Sequence, residues 1–166
     1  MLTIRQASTL DCELIHLLAW KVFPITYRDI ISQEQINYMM EWMYSIESLN
    51  YQMTDDHHTY LLAYDDDICV GYVSVQPQSA DFFHLQKIYV LPENQSFGVG
   101  KVLFNAAINY IRTLHPAPFT IELNVNRHNK AVGFYEHMGM RKDREGDFNI
   151  GNGYFMNDFI MAMRIE

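Results

Sequence analysis

QSFGVGK, Gln95 to Lys101, follows the apolar run Ile88-Tyr89-Val90 and precedes a stretch with helical spacing. In that stretch Val102, Leu103, Ala106, Ala107, Tyr110, Ile111 and Leu114 share one face, and Pro116 lies beyond its end. Two glycines and a lysine between a strand and a helix let backbone amides meet an anion. Gly98 and Gly100 carry no Cβ, the helix start supplies unpaired N–H groups, and Lys101 adds charge. A glycine turn with no ligand fits the same residues. The spacing excludes two phosphate loops. A P-loop needs G-x-x-x-x-G-K-[ST], whereas here only Val99 separates the glycines and Val102 follows Lys101. A dinucleotide fingerprint needs a third small residue where Leu103 stands, and no second alternating βαβ half is present.

Upstream, Leu2 to Arg5 alternates as a short strand, and Ser8 or Asp11 caps a helix through about Phe23 that Pro24 ends. Ser32-Gln33-Glu34-Gln35 has the capping-box form, and Ile36, Met39, Met40 and Met43 follow as a core stripe. His58–Tyr64 and Ile68–Val75 read as a hairpin around the solvated turn Asp65-Asp66-Asp67, and Phe82–Val90 is the next strand. Downstream come a strand over Phe119–Val125, a helix from about Asn129 to His137 closed by Gly139, and two strands flanking Gly151-Asn152-Gly153. This order predicts an α+β (mixed α/β) fold in a single domain over residues 1–166.

Composition narrows the function classes. With 12 basic and 20 acidic residues the net charge is −8, the opposite of a nucleic-acid footprint and compatible with a cationic acceptor. The 11 Tyr and 10 Phe supply an aromatic core with a remainder for a pocket or interface. Cys12 and Cys69 have no CxxC spacing and read as buried reduced thiols, and no metal site is expected. No secretory signal is visible at the N-terminus, and no apolar run approaches the ~18 residues of a membrane span. A cytoplasmic protein without nucleic-acid or membrane partners is the expectation.

Three segments carry a family resemblance. Gln95-x-x-Gly98-x-Gly100 after an apolar strand resembles the Q/R-x-x-G-x-G/A signature of the GNAT superfamily of acetyl-CoA-dependent N-acetyltransferases. NKAVGFYEHMGM, Asn129 to Met140, is similar to the family's N-x-x-A-x-x-F-Y-E-x-x-G-F segment, and Ile4–Asp11 looks like its first strand and turn. All three occur in family order across essentially the whole chain. The resemblance implies a central, mostly antiparallel mixed sheet with splayed central strands and helices on both faces. It also implies acetyl-CoA as co-substrate, and homodimers are common in the family.

By the same resemblance, Ile88, Tyr89 and Val90 hold the pantetheine arm and acetyl group through their backbone, with an N–H near Val90 stabilising the oxyanion. The amides of Gln95, Ser96, Phe97, Gly98, Val99, Gly100 and Lys101 hold the pyrophosphate. Tyr135 falls on the family tyrosine that protonates the departing thiolate. The family asparagine position, seven residues before that tyrosine, holds His128, with Asn129 six before. Many relatives carry a glutamate base on the strand before the loop; here the counterpart is Gln86, and His84 is the nearest titratable candidate. Acceptor contacts are expected from the first helices and the last hairpin, with Tyr27, Glu41 and Trp42 foremost.

FPITYRDIIS (Phe23–Ser32), LQKIYVLPENQSFGVGK (Leu85–Lys101) and NDFIMAMRI (Asn157–Ile165) look most like the PaiA-type spermidine/spermine acetyltransferase branch. The expected activity is therefore transfer of acetyl to a primary amine, a small amine or polyamine. A protein N-terminal or lysine acetyltransferase and a non-catalytic acyl-CoA sensor remain the alternatives.

Overall fold

The computed structural model describes Met1–Glu166. Its seven strands are β1 (Leu2–Gln6), β2 (Thr59–Asp65), β3 (Ile68–Ser79), β4 (Phe82–Val90), β5 (Phe119–Asn126), β6 (Arg141–Gly151) and β7 (Tyr154–Ile165). They form one sheet in the order β1-β2-β3-β4-β5-β7-β6, in which only β4 and β5 run parallel. Helices α1 (Cys12–Tyr27), α2 (Gln33–Tyr44) and α3 (Ile46–Thr54) cover one face. On the other lie α4 (Val99–Leu114) and α5 (Ala131–His137). Strand alternation fixes this division. Tyr60 bonds Gln52 of α3, while its neighbour Thr59 bonds Tyr110 of α4.

The mixed, mostly antiparallel sheet with helices on both faces is the expected fold, and three local readings need correction. Pro24 does not end α1; the helix continues to Tyr27. Phe23 and Tyr27 are both buried, with ring centroids 4.5 Å apart, so packing of the last turn outweighs the hydrogen bond that proline forfeits. The capping box at Ser32 is half built. Its hydroxyl accepts from the Gln35 N–H at 3.1 Å, but the Gln35 side chain turns away to Phe155 O at 2.8 Å. The short helix α3, capped by Ser45, was not anticipated.

The buried stripe of α4 is rotated from the one read in the sequence. Val99, Leu103, Phe104, Ala107, Ile108 and Ile111 are buried and Leu114 is exposed. Apolar pairs stand at both phases of this helix, so docking against β2, β3 and β4 decides which phase is covered. Gly71 in β3 shows how close that packing is: a Cβ there would lie 2.7 Å from Tyr89 O and 3.1 Å from the Leu103 Cδ1.

Candidate active site

β4 pairs with β5 only through Phe82, His84 and the residue between them, opposite Thr120 to Glu122. Beyond that the strands part. The same strand carries a bulge against β3, where Lys87 faces Ser74 and Leu85 faces Val75, leaving Gln86 as the extra residue. Leu91 N–H donates to Val70 O on the β3 side at 2.8 Å. By strand alternation the N–H groups of Val90 and Ile88 then face the opened side toward β5. Bulge and opening make a cleft of about 880 Å³, with Ile88, Tyr89 and Val90 on one wall and Leu123, Asn124 and Val125 on the other.

One end of the cleft is an anion cradle. Gly98 is the N-cap of α4 at φ +77°, with open space where a Cβ would stand. The first helical N–H with an acceptor in the chain is that of Val102, on Gly98 O at 3.2 Å. The amides before it in the helix are orphan donors directed outward, where the helix dipole favours negative charge. Gly100 lets Phe134 of α5 approach, since a Cβ would sit 3.3 Å from its ring. The Gln95 amide donates to Val90 O at 3.1 Å and ties the loop to the strand it follows.

Three phenols meet at the narrow part. Tyr27 OH lies 3.5 Å from Tyr89 OH and accepts from Asn129 Nδ2 at 3.4 Å. Tyr135 lines the same cleft, and its hydroxyl bonds nothing in the protein. Burial pushes the Tyr135 phenol above its ordinary range, and Tyr27 adds to the rise, so the group stays protonated through neutral pH. His128 and Asn129 are both on the wall, and the Asn129 side-chain oxygen also accepts from Ala131 N–H at 2.9 Å, fixing the start of α5.

Not every expected residue is there. Gln95, Gly98, Gly100, Lys101 and Tyr27 line the cleft. Ser96 and Phe97 occupy the exposed turn outside it, and the Val99 side chain is in the core. Glu41 and Trp42 lie outside it as well, because Trp42 stacks on Tyr38 at 6.2 Å on the exposed side of α2. His84 sits below the opening, its Nδ1 3.4 Å from Glu122 Oε1, in the part of β4 that is still paired with β5. Burial lowers its affinity for a proton, against the pull of Glu122.

Three polar residues went unremarked in the sequence. Lys87 is buried, with Nζ 2.8 Å from Gln52 Oε1 and 2.6 Å from Tyr60 OH, over the Tyr44 ring, and without a carboxylate partner. Asn124 and the buried Asp158 stand together on β5 and β7. Lys87 and Asp158 fall at inward-facing positions of apolar strand patterns, which is their only signal, whereas Asn124 alternates with the apolar face of β5 and carries none. No group of three or more His, Cys, Asp or Glu side chains is placed to hold a metal ion, and no helix is long and apolar enough to cross a membrane.

A parted parallel pair beside an amide cradle and a free phenol defines an acyl-CoA-dependent acyltransferase fold. The GNAT acetyltransferase domain model matches residues 27–155, and the chain belongs to that family of acetyl-CoA-dependent N-acetyltransferases. Among solved structures it is similar to the PaiA N-acetyltransferase of Thermoplasma acidophilum in complex with coenzyme A. That match has 24% identity and a TM-score of 0.77, and covers 99% of each chain. The ribosomal-protein-S18-alanine N-acetyltransferase of Escherichia coli matches at 18% identity and TM-score 0.74, over 99% of this chain and 94% of that one. A spermidine N-acetyltransferase SpeG chimera from Vibrio cholerae and hSSAT matches at 23% and 0.72, over 98% and 95%.

Proposed function

We propose that this chain acetylates a small primary amine, with polyamines as the leading class, by direct attack within a ternary complex. Acetyl-CoA supplies the activated acetyl thioester. The backbone amides of Gln95 and Phe97 are bonded to Pro92 O and Asn94 O within the turn. Of the expected Gln95–Lys101 segment, the amides of Ser96 and Gly98 to Lys101 therefore hold its pyrophosphate, and the free N–H groups of Ile88 and Val90 orient the arm in the opening. The Val90 N–H stabilises the charge that develops on the carbonyl oxygen. The neutral amine nitrogen bonds the acetyl carbon, the C–S bond breaks as Tyr135 gives its proton to the sulfur, and the proton released by the nitrogen leaves through water, from which Tyr135 is reprotonated. Gln86, at the position where many relatives carry a glutamate, is not basic, and its side chain is bonded to Gln76 Oε1. His84, held by Glu122 below the opening, is a base only through intervening water.

The observation that carries the small-acceptor reading is the tie across the acceptor side. Tyr38 OH donates to Ile150 O at 2.7 Å and the Gln35 amide to Phe155 O at 2.8 Å, drawing the β6–β7 hairpin against α2. A peptide strand needs that side open. The test is acetyl-CoA turnover over polyamines, simple alkylamines and peptides with free N-termini or lysines. Polyamines and alkylamines are expected to be acetylated at least about tenfold more efficiently in kcat/KM, the scale of one lost polar contact. Equal or better turnover of peptides overturns the reading, and CoA binding without any turnover makes the protein a sensor.

The anion cradle has its own test. Gly98→Val places a β-branched side chain at φ +77°, where an L residue costs about 1–2 kcal/mol, and fills the open space before the helix. CoA affinity by calorimetry is expected to fall at least about 100-fold, the loss of several charge-assisted hydrogen bonds, while the protein still melts cooperatively. Unimpaired binding removes the pyrophosphate assignment.

A further inference from the structure

Asp158, on β7, is 7% exposed. Its Oδ2 accepts from Asn124 Nδ2 at 3.3 Å, while its Oδ1 is buried with no hydrogen-bond partner. No cation pairs with it. Arg127, the basic group whose charge it feels, pairs with Asp147 and Glu145 and makes no hydrogen bond to it, its buried Nε being left without a partner as well. A carboxylate held in this way lacks the direct cationic partner that buried anions require.

Its place in the sheet says where that counter-charge would come from. Asp158 is in register with Asn126, and Asn124 with Ile160, so all four side chains project from one face. That face is the one covered by α1 and α2, since Gln35 of α2 reaches Met156, two residues along β7. The amide cradle of α4 is on the opposite face, so the acyl donor enters from there and the acceptor is left with the side of Asn124. Asn124 lines the cleft and is exposed. Asp158 also lies near enough to Tyr27, which lines the cleft, to add to the rise that burial gives its phenol.

The chemistry of the pair fixes its direction. A carboxylate only accepts, so Asn124 must turn its NH₂ to Asp158, and its side-chain oxygen, which accepts nothing in the protein, is left for the cleft. An amide oxygen backed by a buried anion with no direct cationic partner selects an N–H donor that carries positive charge. We propose that Asn124 and Asp158 form the ammonium subsite of the acceptor, with Asn124 binding the alkylammonium directly and Asp158 positioning the Asn124 amide and supplying the field. This rests on the amine-acetyltransferase reading and narrows its substrate class to aliphatic amines that bind protonated and give that proton up to water before attack.

The experiment compares butylamine, protonated at pH 7, with aniline, neutral at that pH, in wild type, Asp158→Asn and Asn124→Leu. Both variants are expected to raise KM for butylamine by about 10- to 100-fold, the range for a hydrogen bond to a charged group. KM for aniline, KM for acetyl-CoA and the melting temperature are expected to stay at wild-type values. Asp158→Glu is expected to restore part of the loss. The double variant is expected to cost no more than either single change, because the two residues act as one. A structural role alone would move both amines together, and that result, or an unchanged KM for butylamine, overturns the subsite. If the wild type acetylates neither amine, the functional reading fails on its own. Calorimetric titration of butylamine into the CoA-bound protein then decides the subsite, and no binding overturns it.

Discussion

Tyr135→Phe is expected to lower kcat by about 100-fold or more, the range of a positioned general acid, while CoA affinity stays within about twofold. The change removes one oxygen from a ring that is otherwise core, packed edge-on to Phe134 at 5.4 Å. That hydroxyl bonds nothing in the protein, so its loss strands no partner and should leave folding intact. A departing thiolate, with a pKa of ~8.5, is trapped by a proton from a positioned phenol, a stronger acid than water. Burial raises the Tyr135 phenol further, which keeps it protonated and moves any loss of activity from its ionisation above pH 10. Single-turnover measurement isolates the chemical step from product release. Tyr27→Phe serves as the comparison. Its hydroxyl sits between Tyr89 and Asn129, so its removal is expected to cost less in kcat. An unchanged kcat in Tyr135→Phe, or an equal loss in both variants, would show that Tyr135 is not the acid.

The second large effect is on stability. Burial pushes the Lys87 ammonium from 10.5 down to about 7. Between these values the unfolded chain carries a proton at this site that the folded chain has given up. More protons bound in the unfolded state means stability rises with pH across that window. Below about pH 7 both states are charged and the whole cost of burying the ammonium is felt; above 10.5 both are neutral and it is gone. A shift of this size corresponds to about 5 kcal/mol at 1.36 kcal/mol per pH unit. Lys87→Met is therefore expected to be more stable than wild type near neutral pH, by ~2–3 kcal/mol once the lost hydrogen bonds to Gln52 and Tyr60 are set against the relieved charge. The gap between the two proteins should close as pH rises toward 10. Urea unfolding at a series of pH values reads both slopes, and parallel curves for the two proteins would mean that Lys87 stays charged throughout. His58 acts in the same direction at lower pH. Burial, with the Lys87 charge behind it, holds its imidazole down to about 4, so the stability it contributes is lost as pH falls from about 6.5 toward 4.

The glycine loop, the helix after it and the final helix-and-hairpin run were legible because each is written in local chemistry. Gly98 adopts the positive φ that glycine tolerates, and Gly139 closes α5 at φ +105°. Strand limits at β2, β4 and β5 follow alternation and fall within a residue or so of the expected ones. Pro24 was misread because the residue's local cost was visible and the burial of Phe23 and Tyr27 was not. Glu41 and Trp42 were drawn into the site by residue type alone, and neither lines the cleft, Trp42 stacking instead on Tyr38.

What the sequence by itself determined is the family and its local geometry: a glycine at a left-handed N-cap, outward amides at the start of a helix and a tyrosine at fixed spacing are chain-local features, and local spacing specifies them. The tertiary structure alone decided which buried polar groups meet. Asn124 and Asp158 are 34 residues apart and meet only because β5 and β7 pair antiparallel. Lys87 is stripped of water by Gln52 and Tyr60, from a helix and a strand distant in sequence. A polar residue's partner, or its lack of one, is set by which strands become neighbours, and no window of adjacent residues contains that choice.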